Sequence, residues 1–179
     1  MTGRKAVFLD RDGVLNKAVY RDGVSYPPAD ADDMLIPDTS LEAVRLLQAA
    51  DYLCICVTNQ PDVARGKRTL ENVQKMNERI RAVLPLDDLY VCLHDNADNC
   101  DCRKPKPGML LKGAEKWGID LASSWMVGDR PSDIAAGKAA GCKTVLICEG
   151  QPSKSFAAGD EPDYVRADVL EAARAILAD

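Results

Sequence analysis

Two aspartates two residues apart, Asp10 and Asp12, end a short apolar run of Ala6, Val7, Phe8 and Leu9. Such a run reads as a buried strand, and ligands bind at the ends of strands in an open α/β sheet. Two carboxylates there cost desolvation and mutual repulsion unless a cation or a reaction uses them. Asp10-Arg11-Asp12-Gly13 also serves as an ordinary turn, but three later segments argue for chemistry. Val57-Thr58-Asn59, Arg103-Lys104-Pro105 and Val127-Gly128-Asp129 add a hydroxyl, a lysine and a further carboxylate. Gathered at one point, these groups would suit phosphoryl transfer, in which cationic and hydroxyl groups neutralise the phosphate.

A second constellation suits a metal. Cys92-Leu93-His94 and Cys100-Asp101-Cys102 bring together three of the seven cysteines and the one histidine. The spacing Cys-x-His-x5-Cys-x-Cys fits a closed tetrahedral zinc site with no open coordination position, hence a structural one. It would pin the loop that continues into Arg103 and Lys104. Cys54 and Cys56 lie in an apparent core strand, and an odd total of cysteines argues against a disulfide framework. Metal-bound or buried thiols suit a reducing cytoplasm.

Elements must hold these residues in place. Strand-like segments at 5–9, 53–57, 89–92, 125–128 and 144–148 alternate with helical patterns near 39–50, 70–83, 107–117, 131–140 and 168–178. The alternation predicts an α/β fold, an open parallel sheet with helices on both faces. Pro37-Asp38-Thr39 and Asp129-Arg130-Pro131-Ser132 predict helix starts, and Gly141 a C-terminal cap. The stretches 17–37, 59–69 and 92–106 follow strand ends, so they are expected as loops on the edge that carries Asp10. They are too short for a cap domain and would shape an open pocket. The role of 150–165 stays open.

The chain of 179 residues suits one domain over 1–179, burying about 70% of its unfolded surface. A net charge of −5 and the lack of a basic or aromatic stripe argue against nucleic acid. No apolar run approaches the roughly 20 residues of a membrane span. The start of the chain has too few apolar residues for a signal peptide. A cytoplasmic protein is therefore expected, and a monomer by default.

The four segments, in order, spacing and identity, resemble the haloacid dehalogenase (HAD) superfamily of aspartate-nucleophile phosphatases over roughly residues 5 to 148. The resemblance implies a capless, HAD-like Rossmannoid domain. It implies Asp10 as nucleophile, forming an aspartyl-phosphate, and Mg²⁺ held by Asp10, the backbone carbonyl of Asp12, and Asp129. Asp12 would protonate the leaving alkoxide and then accept a proton from water, which requires a raised pKa. Thr58 and the Asn59 backbone N–H would bind the phosphate, and Lys104 would hold Asp10 and the phosphoryl oxygens. For Asp133, one helical turn after Asp129, support of the site and capping of its helix are both open.

The zinc-type loop running into Arg103-Lys104-Pro105 is similar to that of the group holding heptose-bisphosphate and histidinol-phosphate phosphatases. The run Asp10 to Asn16, Ala64-Arg65-Gly66 and Pro105 to Met109 resemble the heptose branch. This implies a phosphomonoesterase that removes the 7-phosphate of D-glycero-D-manno-heptose 1,7-bisphosphate. Histidinol phosphate or another small sugar phosphate is the alternative, favoured by the short zinc loop. A second phosphate would meet Arg103 first, then Arg65 and Arg130, with Lys67 and Arg68 on a solvated loop face. Pro61, Asp62 and Arg130 differ from the family pattern at the pocket rim, where substrate is chosen.

Overall fold

The computed structural model describes residues 3–22, 24–148 and 155–179. Side chains on a strand point alternately to its two faces, and here both faces are buried. In β1 (Lys5–Leu9), Val7 and Leu9 join one apolar cluster while Ala6 and Phe8 join the other. The same split divides Cys54 and Cys56 from Leu53, Ile55 and Val57 in β4 (Tyr52–Asn59). Burial on both sides explains why these strands read as continuous apolar runs.

Four more strands complete the sheet: β5 (Asp88–Cys92), β6 (Trp125–Gly128), β7 (Lys143–Ile147) and β8 (Tyr164–Arg166). The order is β5-β4-β1-β6-β7-β8, with every neighbouring pair parallel. Helices α1 (Asp38–Ala49), α2 (Leu70–Val83) and α5 (Val169–Ala178) cover one face through Leu47, Ile80 and Ile176. Helices α3 (Gly108–Trp117) and α4 (Pro131–Ala140) cover the other through Leu110 and Ala140.

The chain leaves β1 toward β4 on one side and later returns to β6 on the other. The C-terminal end of β1 is therefore the switch point where open α/β sheets bind ligands. Leu9 lies in register with Cys56 and Val127, and the Asp10 N–H donates to the Val127 carbonyl at 2.9 Å. Three chain segments far apart in sequence thus end side by side.

The helices match expectation to within a residue or two, while β4 runs on to include Thr58 and Asn59. Residues 17–37 hold more than a loop. They form an antiparallel hairpin of β2 (Val19–Arg21) and β3 (Val24–Tyr26). Asp22 turns it with φ +50°, a left-handed conformation that aspartate tolerates. β8 was also not expected. Asp163, just before it, accepts from the Thr144 N–H at 2.7 Å and hydroxyl at 2.9 Å. That anchors the end of the 150–165 stretch at the far edge of the sheet; residues 150–154 lie outside those described. Among the described residues no helix is long and apolar enough to cross a membrane.

Candidate active site

The nucleophile candidate has its position fixed from several sides. Lys104 is 3% exposed, and its Nζ donates to Asp10 Oδ1 at 2.8 Å and to the Val57 carbonyl at 2.8 Å. The same ammonium pairs with Asp133 Oδ1 at 2.7 Å. The lysine itself is aimed through its backbone by the side chain of Asn59. Asn59 Nδ2 donates to the Lys104 carbonyl at 3.0 Å, and its Oδ1 accepts the Lys104 N–H at 3.1 Å. Asn59 was expected to act through its backbone N–H, so this clamp is an addition.

Asp133 fills both roles left open for it. Besides meeting Lys104, its Oδ2 accepts the Arg130 N–H at 3.0 Å and so caps α4. Gly13 lets Asp129 close on the site. Its φ is +93°, and a Cβ there would stand 2.4 Å from Asp129 Oδ2, so only glycine fits.

Asp10, Asp129 and Asp133 offer carboxylate oxygens within 4.8 Å of one another, all buried. One ammonium cannot balance three such charges. Burial pushes the Asp10 carboxyl up to about 7, with Asp133 and Asp129 adding to the effect and Lys104 opposing it. Clustered hard oxygens and surplus negative charge suit Mg²⁺.

Asp12 departs from expectation. Burial alone would raise its carboxyl, but the Arg11 guanidinium, 2.9 Å away, and hydrogen bonds from Gln60 and Asn16 outweigh that and lower it. In this state Asp12 is a carboxylate rather than the protonated acid that its first step requires. Its side chain faces Arg11 and Gln60, so only its backbone is left as a candidate for the cation. Arg11 and Gln60 carry no motif signal. In sequence they read as the middle of a turn and a loop residue.

Thr58, 1% exposed, accepts from Gln60 Nε2 at 2.9 Å, which leaves its own hydroxyl proton for a ligand. A cleft of about 540 Å³ holds Asp10, Asp12, Thr58 and Lys104, and Arg65, Arg103 and Arg130 also line it. Lys67 lines it as well, whereas Arg68 turns away to the carbonyls of Pro28 and Ala29, 2.7 and 2.9 Å distant. Arg65 grips Asp95 at 2.6 and 3.0 Å, and Arg103 Nε donates to Asn96 Oδ1 at 2.8 Å. Arg103 thus lies in the loop that carries the sulfur cluster, and Arg65 is tied to that loop from the one after β4.

In that loop the thiols of Cys92, Cys100 and Cys102 and the His94 ring nitrogen lie within 4.8 Å of one another. Neighbouring donors are 3.3 to 3.7 Å apart. A tetrahedron with zinc bonds of about 2.0–2.3 Å has edges of about 3.3–3.8 Å, so the donor set fits the ion.

Comparison with known proteins agrees with this geometry. The HAD-hydrolase-like family matches residues 101–172. A D-glycero-beta-D-manno-heptose-1,7-bisphosphate 7-phosphatase of Pasteurella multocida is 40% identical over 161 residues, covering 83% of this chain and 84% of that protein. Its Pseudomonas putida counterpart is 34% identical, with 97% and 99% covered. The crystal structure of D,D-heptose 1,7-bisphosphate phosphatase from B. bronchiseptica, complexed with magnesium and phosphate, aligns at a TM-score of 0.81. It is 32% identical, with 97% of this chain and 98% of that one covered. The chain belongs to the HAD family of phosphatases that these relatives represent.

Proposed function

We propose that this HAD-family phosphatase hydrolyses one phosphate of a heptose bisphosphate, the 7-phosphate of D-glycero-beta-D-manno-heptose 1,7-bisphosphate. The observation that carries the chemistry is Lys104 held between Asp10 and Asp133 at 2.8 and 2.7 Å, in a buried pocket at the switch point of the sheet. The names of the relatives carry the substrate and its anomer.

In this reading Asp10 attacks phosphorus in line, and the bond to the sugar oxygen breaks. Lys104 and the Thr58 hydroxyl take up the charge on the phosphoryl oxygens. Asp12, once it has taken up a proton as substrate binds, gives that proton to the departing alkoxide. It then takes one from the water that cleaves the aspartyl-phosphate and frees Asp10. Mg²⁺ bound by Asp10, Asp129 and the Asp12 carbonyl would supply charge neutralisation during the transfer. Zinc held by Cys92, His94, Cys100 and Cys102 would fix the loop that presents Arg103 and Lys104. Arg103, Arg65 and Arg130 are candidates for the second phosphate.

The short His94–Cys100 interval favours a second reading, histidinol phosphate. Phosphate release with Mg²⁺ separates the two. Several hundredfold higher kcat/KM for the bisphosphate than for histidinol phosphate or sugar monophosphates is expected, about 3–4 kcal/mol of differential transition-state binding. A flat profile, or a preference for histidinol phosphate, overturns the substrate assignment.

A further inference from the structure

The residue between the two catalytic aspartates has no assigned task, yet it is among the largest fully buried side chains. Arg11 runs from the β1 end to α2, where its Nη1 donates to Asn77 Oδ1 at 2.7 Å. A buried guanidinium is costly unless its charge and its donors are satisfied. Its charge partner is Asp12, gripped from two donors: Nη2 to Oδ2 at 2.9 Å and Nε to Oδ1 at 3.3 Å.

Two further groups reach the same carboxylate. Asn16 Nδ2 donates to Oδ1 at 3.1 Å and Gln60 Nε2 to Oδ2 at 2.8 Å. Gln60 is 2% exposed, and its amide spans Asp12 and the Thr58 hydroxyl. Its backbone N–H donates to the Cys92 carbonyl at 2.7 Å, so the amide is held from behind. Four donors from three side chains therefore define where the Asp12 carboxylate sits, and one of them ties it to the hydroxyl that faces the phosphate.

We infer that Arg11, backed by Asn77, and Gln60 are positioning residues for the proton transfers of Asp12. This inference rests on the reading of Asp12 as acid and base given above. Arg11 fixes the carboxylate against α2, and Gln60 sets its distance from Thr58 and thus from the bound phosphoryl group. Arg11 and Asn77 lie outside the cleft lining, and Gln60, which lines it, turns its amide to Asp12 and Thr58. They act through where Asp12 stands when the leaving oxygen needs a proton.

The leaving group tests this. A sugar alkoxide needs a proton as its bond to phosphorus breaks, whereas para-nitrophenolate leaves unaided. Gln60→Ala and Asn77→Ala are the variants, because losing Arg11 itself would strip a buried carboxylate of its counter-charge and threaten folding. With Mg²⁺ and full-length protein, the single-turnover rate of alcohol release from the sugar phosphate should fall about tenfold or more in Gln60→Ala and severalfold in Asn77→Ala. In single turnover on para-nitrophenyl phosphate, where the first step is read alone, release of para-nitrophenolate should stay within about twofold of the parent in both. Equal losses on both substrates, or no loss on either, overturn the inference. Asp12→Asn is the control. If its loss is selective while those of Gln60→Ala and Asn77→Ala are not, the positioning role alone fails. If its own loss is not selective, the acid–base reading fails, and the inference with it.

Discussion

Asp10 and Asp12 are near neighbours pushed in opposite directions. Asp10 is raised to about 7 by burial and by Asp133 and Asp129, whereas Arg11 and its companions hold Asp12 below its ordinary value. The sign of each effect on stability follows. A carboxyl raised on folding binds more protons in the folded chain, so stability falls as pH rises from the ordinary 3.8 toward 7. A carboxyl lowered on folding stabilises above its ordinary value, and that contribution disappears as pH falls through the folded value. The metal-free protein should therefore lose stability between about pH 4 and pH 7 through Asp10. Thermal unfolding against pH in a chelating buffer checks this. The decline should be shallower in Asp10→Asn and shallower with Mg²⁺ present, and equal slopes in all three would refute it. The carboxylates, Thr58 and Lys104 were legible in the sequence because their types and order carry the chemistry. Arg11, Asn77 and Gln60 were not, since Arg11 meets Asn77 across 66 residues and no local pattern encodes such a contact.

At the scale of elements, the loop after β5 links the sulfur cluster to catalysis. It carries Cys100 and Cys102, then Arg103 and Lys104, and Asn59 clasps the Lys104 backbone from the end of β4. Loss of the zinc proposed for this loop should loosen it and so misplace the ammonium on Asp10. Elemental analysis should find zinc in the parent and none in Cys100→Ala, whose kcat should fall about tenfold or more even with Mg²⁺ in excess. Unchanged activity in a zinc-free variant would show that the loop holds Lys104 unaided. The ligand spacing made this cluster readable in advance. The β2–β3 hairpin was expected only as loop, although Asp22-Gly23 is a pair that marks tight hairpin turns. β8 was not readable, because three residues are too few to display a period.

Across the whole molecule, stability and chemistry lie at opposite ends of the sheet. The proposed catalytic carboxylates and hydroxyl, Asp10, Asp129 and Thr58, lie at the C-terminal ends of β1, β6 and β4, while Asp88 begins β5 at the other end. Asp88 Oδ2 accepts from Lys116 Nζ at 2.7 Å and from Trp117 Nε1 at 2.9 Å, tying β5 to α3. Asp88→Asn should therefore cost about 1.5–3 kcal/mol by urea unfolding. Its kcat should stay at the parent value, and a parallel loss of kcat would deny the separation. The order of strands and helices, and hence the sheet edge that gathers the site, followed from alternating apolar and amphipathic runs. Which residues of different loops meet, as Arg65 does Asp95, depends on distances that only the folded chain sets.

The most direct test is the rate of Asp10→Asn on heptose 1,7-bisphosphate with saturating Mg²⁺, beside the parent protein and with unfolding curves for both. A folded variant whose kcat has fallen on the order of a thousandfold or more is the predicted result, because an amide cannot carry the phosphoryl group. A folded variant that hydrolyses the bisphosphate within a few-fold of the parent would contradict Asp10 as the nucleophile and the phosphoryl-transfer site built around it.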